Sequence, residues 1–182
     1  MSDLFHLDAP SVAIVRLAPV SFAVLRMRSP AEKNRTAVHA ELGVKLPPVG
    51  QLASAQAGLI AGTAPGEWAL IGGSWYLDKI AASASASSLA SLVDLTKGQV
   101  TWRVAGPSAG LLLSKGCTLD FHPRSFKQGQ VAQSALAQTF VTILRPDSDD
   151  AFQVIAERSY AHHLELWFRD AIAEFSLPES VN

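Results

Sequence analysis

A chain of 182 residues, 48% of them hydrophobic, is long enough to bury a substantial core as one domain or as two small lobes. A net charge of -1 with no block of Lys or Arg argues against the basic face that nucleic-acid binders use to neutralise phosphates, and a single cysteine, Cys117, excludes an internal disulfide and any multi-cysteine metal site. Charged residues make up only 17%, below the ~25% usual for soluble domains; either part of the surface is covered by another protein or the composition is simply rich in Ala. The N-terminus has Asp3 and Asp8 where a signal peptide would be basic, and its apolar stretch is broken by Arg16 and Pro19. No run approaches the ~20 apolar residues of a membrane span. The expectation is a soluble, cytoplasmic protein without nucleic-acid or membrane partners.

In chain order, the first strand is "VSFAVLRM" at residues 20–27, with residues 12–17 before it as a partner or lead-in. A helix follows over "SPAEKNRTAVHAELG". Ser29 is its N-cap, Pro30 suits its first position, Glu32 completes an S-x-x-E capping box and Gly43 supplies a left-handed stop. "KLPPVG" is a loop. "ASAQAGLIAG" and "EWALIG" read as two strands joined by "TAPG". "GSWYLDKIAASASASSLA" reads as a helix with a small-residue connector, and "SLVDLT" as another strand.

The second half repeats this order. "QVTWRVA" is a strand and "PSAGLLLSKG" a short helix, whose Leu111, Leu112 and Leu113 fix it to the sheet. "QVAQSALAQ", "TFVTILR" and "AFQVIAE" are strands, the last two separated by "PDSDD". "SYAHHLELWFRDAIAEF" is a closing helix, with Tyr160, Leu164, Trp167, Phe168, Ala171 and Phe175 in one apolar stripe assigned to the core. "RMRSPA" and "RVAGPS" each place a strand Arg before a small residue, Pro and a helix. The spacing of Ile71, Tyr76 and Ile80 recurs in Ile155, Tyr160 and Leu164. An α+β fold of two ferredoxin-like β-α-β-β-α-β lobes explains both matches, with lobes at residues 1–98 and 99–182 forming one compact unit.

The residues with chemical potential each have a simpler structural reading. Cys117 lies just past a helix C-terminus, where the dipole opposes a thiolate, and a free cysteine packs as a small apolar residue. Lys115 is close to the thiol and equally placed to neutralise that helix end. His122, followed by Pro123, is a loop residue whose expected role is buried or turn-stabilising. His162 and His163 are adjacent on a helix and point about 100° apart, which does not suit a two-His metal site. Gly106-Pro107 opens a helix without any phosphate-loop glycine pattern, and Gly116 stops that helix. Asp147, Asp149 and Asp150 lack the Gly and distal Glu of a calcium loop. No catalytic or metal-ligating residue is expected, and no cofactor-binding residue is assigned. An accessory subunit fits this picture.

The run "RVAGPSAGLLLSKGCTLDFHPRSF", within it L-x-K-G-C-x-L-D-x-H-P-x-x-F, then "GQVAQSALAQ" and "FQVIAERSYAHHLELWFRDA", strongly resembles the gamma subunit of heterotetrameric sarcosine oxidase. "APGEWALIG" and the junction "VDLTKGQVTWRVAGPSA" look like the same family's pattern. The resemblance covers roughly residues 10–175; Gly66, where Asp is usual, and Ala69, in place of a bulkier residue, depart from it. The resemblance implies a fold related to the N-terminal part of the glycine-cleavage T-protein. It implies an enzyme of alpha, beta, gamma and delta chains that oxidises sarcosine to glycine, with tetrahydrofolate accepting the one-carbon unit and oxygen reduced to peroxide. It places FAD, FMN, NAD, tetrahydrofolate and zinc on the other subunits and gives the gamma chain a packing role against alpha. The alternative is a stand-alone folate-binding relative of T-protein: Lys115-Gly116-Cys117 begins one such motif, K-G-C-Y-x-G-Q-E, but Thr118 to Phe121 do not continue it. A thiol enzyme would depend on Cys117 alone.

Overall fold

The structure, a computed structural model, describes residues 5–27, 39, 43–55, 58–73, 90–147 and 150–176. It divides into two compact units, Met1–Ala18 with Gly98–Asn182, and Pro19–Lys97. The seam near residue 98 is where the element order starts again. The first eighteen residues, however, belong with the second half, which departs from lobes at 1–98 and 99–182. The reason is strand pairing. After β1 (His6–Ala9), β2 (Val12–Arg16) pairs antiparallel with β8 (Gln99–Ala105), from Ala13 opposite Ala105 to Arg16 opposite Trp102. It buries Val12 and Ile14 in that unit's core. It is not a partner of the next strand, β3 (Ser21–Met27).

The Pro19–Lys97 unit holds a five-stranded antiparallel sheet. Its strands are β3, β4 (Leu52–Ala55), β5 (Gly58–Ala64), β6 (Glu67–Gly72) and β7 (Ala90–Asp94), in the order β4-β5-β6-β3-β7. "ASAQAGLIAG" is therefore a hairpin, not one strand. Gly58 is needed there, since a Cβ would collide with the Ile71 carbonyl oxygen. Between β5 and β6 the chain reverses at Pro65-Gly66, with Gly66 at φ 75° as the second central position of such a turn requires. Trp68 is buried against Leu25, Ile60 and Leu70, and its indole nitrogen donates to the Pro47 carbonyl at 2.8 Å. At the exit of β7 the Thr96 amide donates to Asp94 Oδ1 at 2.8 Å, while the Thr96 hydroxyl oxygen accepts from the Phe22 amide at 3.0 Å. The V-D-x-T junction is thus an Asx turn that fastens the strand end to β3. Both helices expected in this half lie outside the described residues, apart from His39. The Gly43 amide donates to His39 oxygen at 2.9 Å with φ 67°, the left-handed stop expected of it.

The other unit holds a six-stranded antiparallel sheet, β1-β2-β8-β11-β10-β9, built with β9 (Gln130–Leu136), β10 (Thr139–Arg145) and β11 (Ala151–Glu157). Two helices pack on it, α1 (Ala109–Ser114) and α2 (Ala161–Ile172), the latter flanked by 3-10 turns at Arg158–Tyr160 and Ala173–Ser176. Trp102 and Phe168 are fully buried with ring centroids 5.8 Å apart, and burial of each such side chain contributes roughly 1.5–3 kcal/mol. Of the expected stripe, Leu164, Phe168 and Ala171 are buried, Trp167 and Phe175 pack at its margin, and Tyr160 is exposed because it precedes the α-helix. Glu165 Oε1 accepts from Arg16 at 3.2 Å and from the Trp102 indole at 3.3 Å, joining β2, β8 and α2.

The two sheets share an order. Setting β8, β9, β10 and β11 beside β3, β4, β5 and β6 gives the same neighbours. The strand flanking β3 is β7, from the end of its unit, whereas the strand flanking β8 is β2, from the start of the chain. This supports the repeat seen in the sequence and gives an α+β fold of two antiparallel sheets.

Candidate functional site

The K-G-C segment leaves α1 and runs under α2. Lys115 does not neutralise its own helix. Its Nζ donates to the Ala171 carbonyl at 3.1 Å and pairs with Glu174 at 2.5 Å, so its charge sits at the C-terminal end of α2, where the dipole favours a cation. Gly116 lacks a positive φ and is not a left-handed stop. A Cβ there would meet the Trp167 ring at 2.5 Å, so the ring's close approach selects glycine. Cys117 is buried in the core, bridges to Leu136 and donates through Sγ to the Ser134 hydroxyl at 3.3 Å. The three residues of the motif fasten α1, α2 and β9 together.

The following "DFHP" forms a compact turn. The His122 amide donates to Asp120 Oδ1 at 2.9 Å, His122 Nδ1 accepts from the Arg124 amide at 3.2 Å, and the His122 carbonyl accepts from the Ser125 and Phe126 amides. The Ser125 hydroxyl, then the His122 amide, hold the Asp120 carboxyl below its ordinary pKa. His122 is therefore a turn residue, as expected, and among the described residues no hydrogen bond joins it to Cys117. Phe121, Phe126 and Phe152 cluster behind the turn. Phe121 meets Phe152 edge-on at 5.3 Å, and Phe126 stacks on Phe152 at 6.2 Å.

Between this turn and α1 lies an open cleft of about 490 Å³. Phe121 and Phe152 line its apolar part, Leu111 stands at its edge, and Asp120, Arg145 and Asp150 supply charge. Arg145 is largely committed: its guanidinium donates to the Phe126 carbonyl at 2.6 Å and to Asp150 at 3.4 Å, and lies 5.4 Å from the Phe152 ring centroid. The Leu111–Leu113 run divides here. Leu112 and Leu113 are buried with Ala109 at i, i+3, i+4 spacing, but Leu111 falls off that stripe and is 67% exposed. Applied to this short helix, the same spacing rule separates Leu111 from its neighbours. Phe152 and Arg145 read only as strand residues, because their convergence with α1 is long-range.

The other candidates stay apart. Gly106 has φ 110° and its missing Cβ admits the Ser11 carbonyl, which accepts from the Ser108 amide at 3.0 Å. Pro107 lies in the turn before α1 rather than at its first residue. His162 and His163 are exposed, and His163 Nε2 is 2.9 Å from the Ala137 carbonyl. Asp147 and Asp150 are exposed in the β10–β11 turn, while Asp149 lies outside the described residues. Among the described residues no group of three or more His, Cys, Asp or Glu is placed to hold a metal, and no helix is long and apolar enough to cross a membrane.

Comparison with known proteins gives this architecture a context. Residues 28–174 match the model of the sarcosine oxidase gamma subunit family. The sarcosine oxidase subunit gamma of Corynebacterium sp. (strain U-96) is 30% identical over 175 residues, 91% of this chain and 82% of that protein. Among solved structures, a chain of the heterotetrameric sarcosine oxidase from Corynebacterium sp. U-96, in complex with pyrrole 2-carboxylate, superposes with a TM-score of 0.86 at 26% identity, covering 96% of this chain and 90% of that one. The glycine cleavage system aminomethyltransferase T from Bartonella henselae shares the fold at 12% identity, with a TM-score of 0.66 over 92% of this chain and 47% of its own length. With K-G-C serving as a helix fastener and the family model spanning both units, the chain belongs to the sarcosine oxidase gamma subunit family.

Proposed function

We propose that this chain is the gamma subunit of a heterotetrameric sarcosine oxidase and works as a non-catalytic packing subunit against the large alpha subunit. The observation that carries the reading is the superposition with a chain of such a complex over nearly the full length of both. The fates of Cys117, Lys115 and His122 agree with it, since the first two are engaged in tertiary structure and His122 in its own turn. In this reading the oxidation of sarcosine to glycine, and FAD, FMN, NAD, tetrahydrofolate and zinc, belong to the other subunits, and the complex is cytoplasmic. The test is expression of the other three subunits with and without this chain. The reading expects a complex containing all four, sarcosine-dependent oxygen uptake by that complex, and none by this chain alone. Full assembly and turnover without the chain, or uptake by the chain alone, would contradict it.

A further inference from the structure

We propose that the cleft between α1 and the 120–123 turn seats an apolar side chain from a surface loop of a partner subunit, with a neighbouring Lys or Arg of that loop held by Asp120 and Asp150. The proposal rests on the reading of the chain as a subunit of a heterotetramer and names the surface that meets the partner.

Three observations converge. Leu111 is the most exposed of the large apolar side chains among the described residues, and α1 is already fixed to its sheet by Ala109, Leu112 and Leu113. Its place at the edge of an apolar cleft gives it a surface to share rather than a fold to support. The lining is held in place before any partner arrives. The Phe121 and Phe152 rings lock edge to face, and the bare Cα of Gly110 packs so close that an added Cβ would lie 3.3 Å from Phe121 Cβ. A fixed apolar recess of this kind suits a partner anchor, because little ordering remains to be done on binding.

Charge selects the neighbouring residue. The cation in the cleft, Arg145, is turned into the Phe126 carbonyl and its side chain is only 12% exposed. Asp150 accepts from Arg145 at 3.4 Å through Oδ1 yet keeps 87% of its side chain in solvent, and Asp120, whose Oδ1 accepts from the His122 amide, is an exposed carboxylate held below its ordinary pKa. A basic residue on the partner complements these two. A small ligand would need several uncommitted polar groups converging on it. Here His122 Nδ1 and the Arg145 guanidinium are already engaged.

The test uses the four subunits co-expressed, with the tag on the large subunit and this chain measured in the eluate. Leu111→Glu is expected to lower its recovery at least tenfold, and Asp120→Asn with Asp150→Asn several-fold, with less sensitivity to salt than the parent. Leu166→Glu, on the exposed side of α2, is the control and is expected to leave recovery unchanged. Thermal unfolding of each isolated variant checks folding, and Leu111→Ser replaces Leu111→Glu if the latter unfolds. Equal recovery of the Leu111 and Leu166 variants, or loss with Leu166→Glu alone, overturns the cleft as the contact while the heterotetramer reading stands. Failure of the unmodified chain to co-purify overturns that reading, and the cleft with it.

Discussion

Gly116 shows how a short motif acquires its residues. Its neighbour Lys115 reaches the end of α2, its other neighbour Cys117 is buried beside Ser134, and Trp167 occupies the space a side chain would need. Gly116→Ala is expected to destabilise the isolated chain by about 1–3 kcal/mol, measured by denaturant unfolding, because the Trp167 ring must move. Cys117→Ala is expected to leave sarcosine oxidation by the assembled complex intact, since the thiol is buried in the core and engaged with Ser134. Asp120 gives a pH signature. Its carboxyl is held below its ordinary pKa in the folded chain, so its contribution is present above the unfolded value and is lost as pH falls through the folded one. The stability difference between the parent and Asp120→Asn should therefore hold at neutral pH and shrink below about pH 4. Placement was legible: loop position put His122 in the turn it occupies, and helix-end position put Cys117 just past α1. The partners of Lys115 and Gly116 were not, because they lie on α2, far along the chain.

At the scale of elements, legibility followed the turn chemistry. The bounds of β8, β10 and β11 coincide with the strands expected from their apolar runs, bounded by Gly, Pro and Asp. The β4–β5 reversal was missed because "SAQAG" offers no Pro, Asn or Asp, and β1 because "HLDAP" is too short to show a period. The β9–β10 turn is also poorly signposted. Ala137 and Gln138 both have positive φ, at 48° and 65°, in a two-residue hairpin loop that favours Asn-Gly. The turn persists because the Ala137 amide donates to the Gly116 carbonyl at 2.9 Å and its carbonyl meets His163. Replacing the pair with Asn-Gly is expected to raise stability by about 0.5–1 kcal/mol in thermal or denaturant unfolding. Glu165→Ala should do the reverse. It leaves the buried Trp102 indole nitrogen without its acceptor and releases Arg16, at a cost of about 1–3 kcal/mol.

At the scale of the whole molecule, the repeat in the sequence was faint but pointed to a real regularity of strand order. What it could not reveal was the exchange at the chain's start, where β2 takes the place beside β8 that β7 takes beside β3. Strand partners are set by which edge is open and which apolar face needs cover, and Val12 and Ile14 satisfy that need beside Trp102 rather than beside β3. The cleft was invisible for a related reason: α1, the 120–123 turn and β11 are brought together only by the sheet. As one subunit of a larger enzyme, the chain co-expressed with alpha, beta and delta subunits should appear in native mass spectrometry in a single assembly containing one copy of each; an assembly of the other three beside free copies of this chain would contradict that role.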